Sequence, residues 1–300
     1  MQLDAGPHGY IEDPDIRLVW QEMGSRTSVK ARVLLDAINT HFRREYLRHQ
    51  IETGTPHPDA WTLYFLSKII FYPSIAEGID QDSSGFVSVH EVNEFIKSRP
   101  SKLNCSVAAW FALYSWAAGP YKTDIEHQGK IDKMLSTLED TPTRVQPANV
   151  KRVRYFTAIH RQPGLVEVYS DVLGYFGEAE SGNAAYGALE RLRVVWRNLE
   201  LQRVHKNLEK TQYRLKGIES VAVVTDGRRR LEHSVMALIY LLLRHHLKIV
   251  KLAETQAVAV AEFGDMRESW EYLFDALDRR LDNLLEIWKQ HWLDIEIQVK

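Results

Sequence analysis

Apolar residues recur at steps of three and four along most of the chain, which is the spacing of one face of an α-helix. The pattern is most regular near the C-terminus, where it continues for nearly four heptads. The apolar positions of that stretch are Met266, Trp270, Leu273, Phe274, Leu277, Leu281, Leu284, Leu285, Trp288, Trp292 and Ile295. This periodicity predicts an all-α protein.

The breaks between periodic stretches, which are rich in Gly, Pro and polar residues, divide the chain into helices of two kinds. The first half has mostly short predicted helices, and the last third has long ones. Their predicted ranges are 15–23, 29–52, 61–72, 74–79, 89–97, 107–118, 125–138, 186–216, 230–260 and 265–297. The first long helix is net basic and the last is net acidic, which favours neighbours in an antiparallel bundle. The stretch 139–147, with Pro142 and Pro147, resembles a linker, so we predict one domain over 1–140 and a helical bundle over 141–300.

One polar stretch between two short helices, residues 80–91, has the spacing of a metal-binding loop. Oxygen-bearing side chains occupy its first, third, fifth and ninth positions, and Glu91 ends it. Gly85 lies at the sixth position, where such a loop turns sharply, and Val87 at the eighth is β-branched. The ligands predicted by this spacing are Asp80, Asp82, Ser84, Phe86 through its carbonyl, Ser88 and Glu91. The stretch about 73–98 therefore resembles the EF-hand family, and the resemblance implies Ca²⁺ as the bound ion.

The chemistry of calcium explains why these residue types occur at this spacing. Calcium takes about six to eight oxygen ligands, and alternate residues of a tight loop can face one point. Three acids with two neutral serines predict a dissociation constant of about 10⁻⁷–10⁻⁵ M or weaker. The alternative interpretation is a polar turn in which Ser88 caps the following helix.

EF-hands normally occur in pairs, but no second window in the sequence has acids at positions 1, 3 and 12 with glycine at position 6. The partner of the loop is therefore either a degenerate hand among the upstream helices or the same hand in a second molecule. The sequence leaves both open.

Composition narrows the setting in which the loop acts. The formal net charge of −2 predicts no general attraction to nucleic acid or to an anionic membrane. The longest apolar run, 235–243, is too short to cross a bilayer. Cys105 is the only cysteine, which excludes an intramolecular disulfide, and no signal-peptide pattern occurs at the N-terminus. We therefore expect a cytoplasmic protein.

Other candidate sites have a simpler structural interpretation. The aromatic stretch around Trp110 and Trp116 is either a ligand platform or a core helix packed on the loop's exit helix, and we favour the core helix. The basic stretch 141–161 is either an anion-binding patch or a solvated helix face, and we favour the latter. His41, Glu45 and His49 recur at one-turn steps, yet no matching ligand pair accompanies them. His245 and His246 point about 100° apart on a helix, which suits two different neighbours better than one metal.

No phosphate loop, nucleophile elbow or zinc-protease motif occurs, which favours a non-enzymatic protein. The predicted function is a calcium-binding helical protein in which calcium stabilises or regulates an interaction module. Its partner would be another protein or a second copy, bound through the helical bundle. The alternative is a helical enzyme or small-molecule-binding protein with its pocket in the bundle and calcium only stabilising the fold. We expect calcium to stabilise the hand rather than open it, because Val92, Phe95 and Ile96 of the exit helix would pack on the aromatic helix.

Overall fold

The computed structural model describes residues 6–24, 27–115, 120–159, 184–225 and 231–290. Helices account for most of these residues, so the predicted all-α class is confirmed. The chain forms two compact units, each built from separate segments. Unit 1 contains Met1–Tyr121, Glu180–Leu199 and Asp282–Lys300, and unit 2 contains Lys122–Ala179 and Glu200–Leu281.

The first part of unit 1 combines one long helix, α2 (Ala31–Thr53), with several short helices and two three-residue strands. Its elements are α1 Pro14–Glu22, β1 Ser28–Lys30, α2 Ala31–Thr53, α3 Leu63–Leu66, α4 Tyr72–Ile79, β2 Phe86–Ser88, α5 Val89–Lys97 and α6 Val107–Leu113. The Asp13 side chain caps α1 by accepting hydrogen bonds from the backbone N–H groups of Asp15 and Ile16. Helix α2 ends at Gly54, which adopts a left-handed φ of 73°. Its predicted start was two residues early, because residues 28–30 form a strand instead.

The predicted buried helix 61–72 is wrong in its continuity. The chain there forms the 3-10 turn Ala60–Thr62, the short helix α3 and a second 3-10 turn, Ile69–Phe71. Lys68 takes an extended conformation that interrupts the helical path. Phe65 and Phe71 remain buried, but Ile69 and Ile70 are 59% and 63% exposed.

Helix α6 is a core element and not an exposed platform. Trp110 and Phe111 are fully buried, and the Phe95 ring of α5 lies 5.7 Å and 5.0 Å from their ring centroids. The Trp110 indole N–H donates a 2.9 Å hydrogen bond to the Phe95 carbonyl. The core-helix interpretation is therefore confirmed for Trp110, while Trp116 lies outside the described residues.

Four of the remaining described helices have more than 20 residues. The remaining helices, in chain order, are α7 Pro120–Asp140, α8 Pro147–Ile159, α9 Ala184–Lys210, α10 Ile218–Thr225, α11 Glu232–Thr255 and α12 Val260–Gln290. Helix α9 ends before its predicted limit at residue 216, because Gln212 and Tyr213 adopt left-handed conformations. Between α7 and α8 lie the 3-10 turn Thr141–Thr143 and Gln146, whose backbone N–H donates to the Ala253 carbonyl of α11.

The predicted apolar seam of the last helix is buried or half-buried at every described position except Leu281. Met266, Trp270 and Leu273 are at most 3% exposed, whereas Leu281 is 45% exposed. The Trp270 indole N–H donates a 3.1 Å hydrogen bond to Nδ1 of His246, which joins α12 to α11. The predicted end of this helix, residues 291–297, lies outside the described residues.

Candidate metal centre

The loop 80–91 connects α4 to α5, and local chemistry fixes both of its ends. The Asp80 backbone N–H donates the last helical hydrogen bond of α4, to the Ala76 carbonyl, and the extended conformation of Asp80 then ends the helix. Helix α5 begins with a capping box, in which Ser88 Oγ accepts from the Glu91 N–H and Glu91 Oε2 accepts from the Ser88 N–H. The predicted helix 89–97 is therefore confirmed, and so is the role of Ser88 as its N-cap.

Three carboxylates of the loop converge. One oxygen each of Asp80, Asp82 and Glu91 lies within 4.8 Å of the others, and no other group of three potential metal ligands is this close among the described residues. Asp80 is only 5% exposed. Burial, followed by the hydrogen bond with Asp82 and the negative charges of Asp82 and Glu91, raises the pKa of Asp80. The loop thus holds like charges together where a cation would lower their free energy.

The turn of the loop brings these side chains inward. Ser83 and Gly85 both have left-handed backbone conformations, with φ of 55° and 80°. The Ser84 backbone N–H donates to both Asp80 Oδ1 and Asp82 Oδ1, and the Gly85 N–H donates to Asp80 Oδ2. Glycine adopts such a φ freely, whereas Ser83 does so at a cost in free energy.

The remaining predicted ligands lie beside the carboxylates. Ser84 Oγ donates to the Phe86 carbonyl over 3.2 Å, and Ser88 Oγ donates to Glu91 Oε2 over 2.8 Å. The Phe86 side chain is 42% exposed, in agreement with a role for its carbonyl alone. Glu91 Oε1 also accepts from the Gln81 N–H. The oxygens of all six residues therefore belong to one hydrogen-bonded loop.

The sequence did not reveal the partner of this loop, which lies in the same chain. Strand β1 pairs antiparallel with β2, and Val29 faces Val87, the eighth position of the loop. Both valines are buried. Helix α1, strand β1 and helix α2 thus form a helix–strand–helix segment beside the loop, and the twelve residues that correspond to 80–91 in this register are 22–33. The strand that pairs with the loop therefore lies upstream in the same chain, and whether its segment is a degenerate hand stays a prediction.

The window 22–33 lacks the residues that a divalent cation needs. Its third and twelfth positions are Gly24 and Val33, so carboxylates are missing where the second loop has Asp82 and Glu91. The carboxylate of Glu22, at its first position, forms an ion pair with Arg44. The only sequence signal of this segment is the short β-branched stretch before α2, because the segment lacks the ligand residues that mark the loop 80–91.

The histidine candidates separate into different environments. His41 is buried, and its Nε2 lies 3.2 Å from Asp15 Oδ1, whereas His49 contacts the ring of His57. The structure therefore does not bring His41 and His49 together as one metal face. His245 stacks on Tyr213, while His246 accepts the Trp270 hydrogen bond, so these neighbours do have different partners.

The basic stretch and the cysteine add no second cluster to the described residues. Arg144, Lys151 and Arg154 are exposed, in agreement with a solvated helix face, and Arg161 lies outside the described ranges. Burial raises the pKa of the Cys105 thiol to about 11, so little of it is in the reactive thiolate form at neutral pH.

Comparison of the chain with protein-family models, curated proteins and solved structures found no match. Across the described ranges, no helix has both the length and the apolar character needed to cross a bilayer. The compartment and the partner-binding role of the bundle stay predictions.

Proposed function

We propose that the loop 80–91 binds one calcium ion, within a two-handed lobe whose first hand binds none. The ligands would be Asp80, Asp82, Ser84, the Phe86 carbonyl, Ser88 and Glu91. The observation that supports this most is the convergence of three carboxylates around the buried Asp80. A divalent cation would neutralise this repulsion, and the all-oxygen ligand set suits calcium.

The strand pair supports the proposal independently of the acids. Val87 is the residue at which two hands would join, and it faces Val29 of the same chain. The loop thus has its partner without a second molecule. We therefore expect one ion per chain and no requirement for dimerisation in binding.

Both helices that flank the loop contact the same aromatic ring, which argues for stabilisation rather than opening. An added Cβ at Gly78 of α4 would lie only 2.3 Å from Cδ1 of Tyr114, so the backbone of α4 runs against this ring. The Phe95 ring of α5 lies 4.9 Å from the Tyr114 ring in a T-shaped arrangement. Tyr114 is 2% exposed and Phe95 is 2% exposed.

The free energy of this contact decides between the two roles of calcium. Burying one large apolar side chain contributes about 1.5–3 kcal/mol, so Phe95, Trp110 and Tyr114 together contribute roughly 5–9 kcal/mol. Reversing a two-state population from 1:99 to 99:1 needs about 5.5 kcal/mol of differential binding free energy. To separate the helices, the differential binding free energy of calcium would have to exceed much of the free energy of the aromatic contact. The proposed role is therefore to stabilise the folded lobe by mass action.

The test is calorimetric calcium titration of the full chain, beside thermal unfolding with and without the ion. We expect one site with a dissociation constant of about 10⁻⁷–10⁻⁵ M and a rise in melting temperature. The Asp80→Ala, Glu91→Ala double variant should lose both calcium binding and the calcium-dependent rise in melting temperature. The matched control is Asp132→Ala with Glu139→Ala, which removes two exposed acids from α7. Retention of the wild-type affinity in the loop variant would refute the site.

A second measurement separates stabilisation from opening. Tryptophan emission and the fluorescence of a dye that binds apolar surface are followed across the same calcium titration. Small changes in both are expected if the aromatic contact persists. A large calcium-dependent rise in dye fluorescence would show that the hand opens.

A further inference from the structure

Unit 1 contains a cavity that is separate from the calcium loop. Its volume is about 480 Å³, within the range of small-molecule sites. Helix α2 forms one wall, and α1, the loop after α2 and the start of α6 form the others. The lining residues are Asp15, Phe42, Glu45, Tyr46, Arg48, His49, Glu52, His57, Asp59, Ser106 and Val107.

The charge of this lining is negative. It has four carboxylates and one guanidinium, and the guanidinium of Arg48 is already paired with Glu45. Asp15 accepts a hydrogen bond from His41. In the part of the chain that the structure describes, the carboxylates of Glu52 and Asp59 have neither a hydrogen bond nor an ion pair. Two acids at the cavity therefore lack a cationic partner.

The floor of the cavity is apolar and aromatic. Phe42, Tyr46 and Val107 are at most 7% exposed. The ring of His57 stacks on Tyr46 with centroids 4.3 Å apart and planes 10° apart. His57 Nδ1 accepts a 3.0 Å hydrogen bond from the Asp59 backbone N–H, which fixes the imidazole beside the acid. The two stacked rings and the backbone of Asp59 are thus positioned together before any ligand arrives.

The chemistry of the lining selects one class of ligand. An anion would meet an excess of acids. A transition metal needs three converging ligands, and the loop 80–91 is the only such group within the described residues. An organic cation with an apolar stem suits both the negative charge and the apolar floor of the cavity. Its charge pairs with the carboxylates of Glu52 and Asp59, and its stem covers the aromatic floor.

We propose that this cavity binds an alkylammonium or guanidinium group. The charged head lies between Glu52 and Asp59, and the stem lies along Phe42, Tyr46 and Val107. The group comes either from a free polyamine or from a lysine or arginine side chain of a peptide. The volume of about 480 Å³ exceeds that of one such side chain, so a longer polyamine or a neighbouring residue of the peptide also fits.

Calorimetric titration tests the proposal with two probes: spermidine, and a short peptide with two adjacent lysines. The chelator EGTA keeps the loop 80–91 free of calcium in one series, and calcium saturates it in another. We expect saturable binding of at least one probe, and none of the fully acetylated triamine. Glu52→Gln with Asp59→Asn should weaken binding by about ten- to thirtyfold. Both changes keep side-chain size, and Glu52 is exposed, so the fold should tolerate them.

The matched control is Glu139→Gln with Asp132→Asn, which makes the same charge change on exposed positions of α7 and should leave binding unchanged. Binding of spermidine alone assigns the site to a free polyamine, and binding of the peptide alone assigns it to a basic side chain. The proposal is overturned if neither probe saturates below about 1 mM. It is also overturned if the Glu52, Asp59 variant binds as the wild type does.

Discussion

Gly78→Ala is the most informative single change, because it inserts one methyl group between α4 and the ring of Tyr114. The new carbon would lie 2.3 Å from Cδ1, 2.9 Å from Cγ and 3.0 Å from Cε1 of that ring. Apolar carbons prefer about 3.5–4.0 Å, so the ring or the helix must move by about 1 Å. The ring is confined by Phe95 at 4.9 Å and by Trp110 at 5.0 Å.

The expected cost follows from two opposing effects. Overpacking a core contact typically costs about 1–3 kcal/mol. Replacing a helical glycine by alanine returns up to about 1 kcal/mol. We therefore expect Gly78→Ala to lower the free energy of unfolding by about 0.5–2 kcal/mol, or the melting temperature by about 2–4 °C per kcal/mol.

Gly129→Ala is the matched control. Gly129 also lies within a helix, α7, and an added Cβ there would meet nothing within 4 Å. This control should stabilise the protein by about 0.4–1 kcal/mol. If Gly78→Ala stabilises the chain as much as the control does, then α4 does not run against Tyr114 and the argument fails.

The same variant also separates the two roles of calcium. If calcium stabilises the closed hand, the strain on α4 in Gly78→Ala should leave the calcium affinity equal to or lower than that of the wild type. If calcium instead prefers an open hand, the clash favours the open state and raises the apparent affinity, by up to tenfold per 1.4 kcal/mol. Calorimetric titration of Gly78→Ala and Gly129→Ala measures this, and tighter binding by Gly78→Ala alone would refute the stabilising role.

Three further predictions concern single residues. Ser83→Gly should raise the free energy of unfolding by about 0.5–1 kcal/mol in denaturant melts, since φ at this position is 55°; destabilisation would contradict it. Cys105 should react with a thiol-specific reagent about a hundredfold more slowly than an unperturbed cysteine, because burial raises its pKa to about 11; fast labelling of the folded chain would contradict it. Burial lowers the pKa of His245 below 6.5, so the unfolded chain binds more protons and stability falls as the pH drops from 6.5; His245→Gln should reduce that slope in melts at pH 7 and pH 5.5.

The loop was predictable from sequence because its geometry is local. The spacing of Asp80, Asp82 and Glu91 places their carboxylates together through hydrogen bonds that all lie within twelve residues. Helix α5 was predicted to its ends for the same reason, since Ser88 caps it through its own side chain. Calcium binding itself stays a prediction.

Features that depend on distant contacts were not predictable. Strand β1 forms because Val29 pairs with Val87, which is distant in sequence. Three residues are too few to give a periodic signal of their own. The exposure of Ile69 and Ile70 depends on where Lys68 breaks the helix. The cavity joins α1, α2 and α6, so no sequence window contains its lining.

The pairing of β1 with β2 has a consequence for how the lobe forms. Val29 and Val87 are far apart in sequence, so the chain must close a long segment before strand β1 can pair with the loop 80–91. A peptide that covers only residues 73–98 would keep every ligand yet lack the strand that holds Val87. Such a fragment should bind the ion far more weakly than the full chain, and ion loading should come late in folding, after α2 has docked.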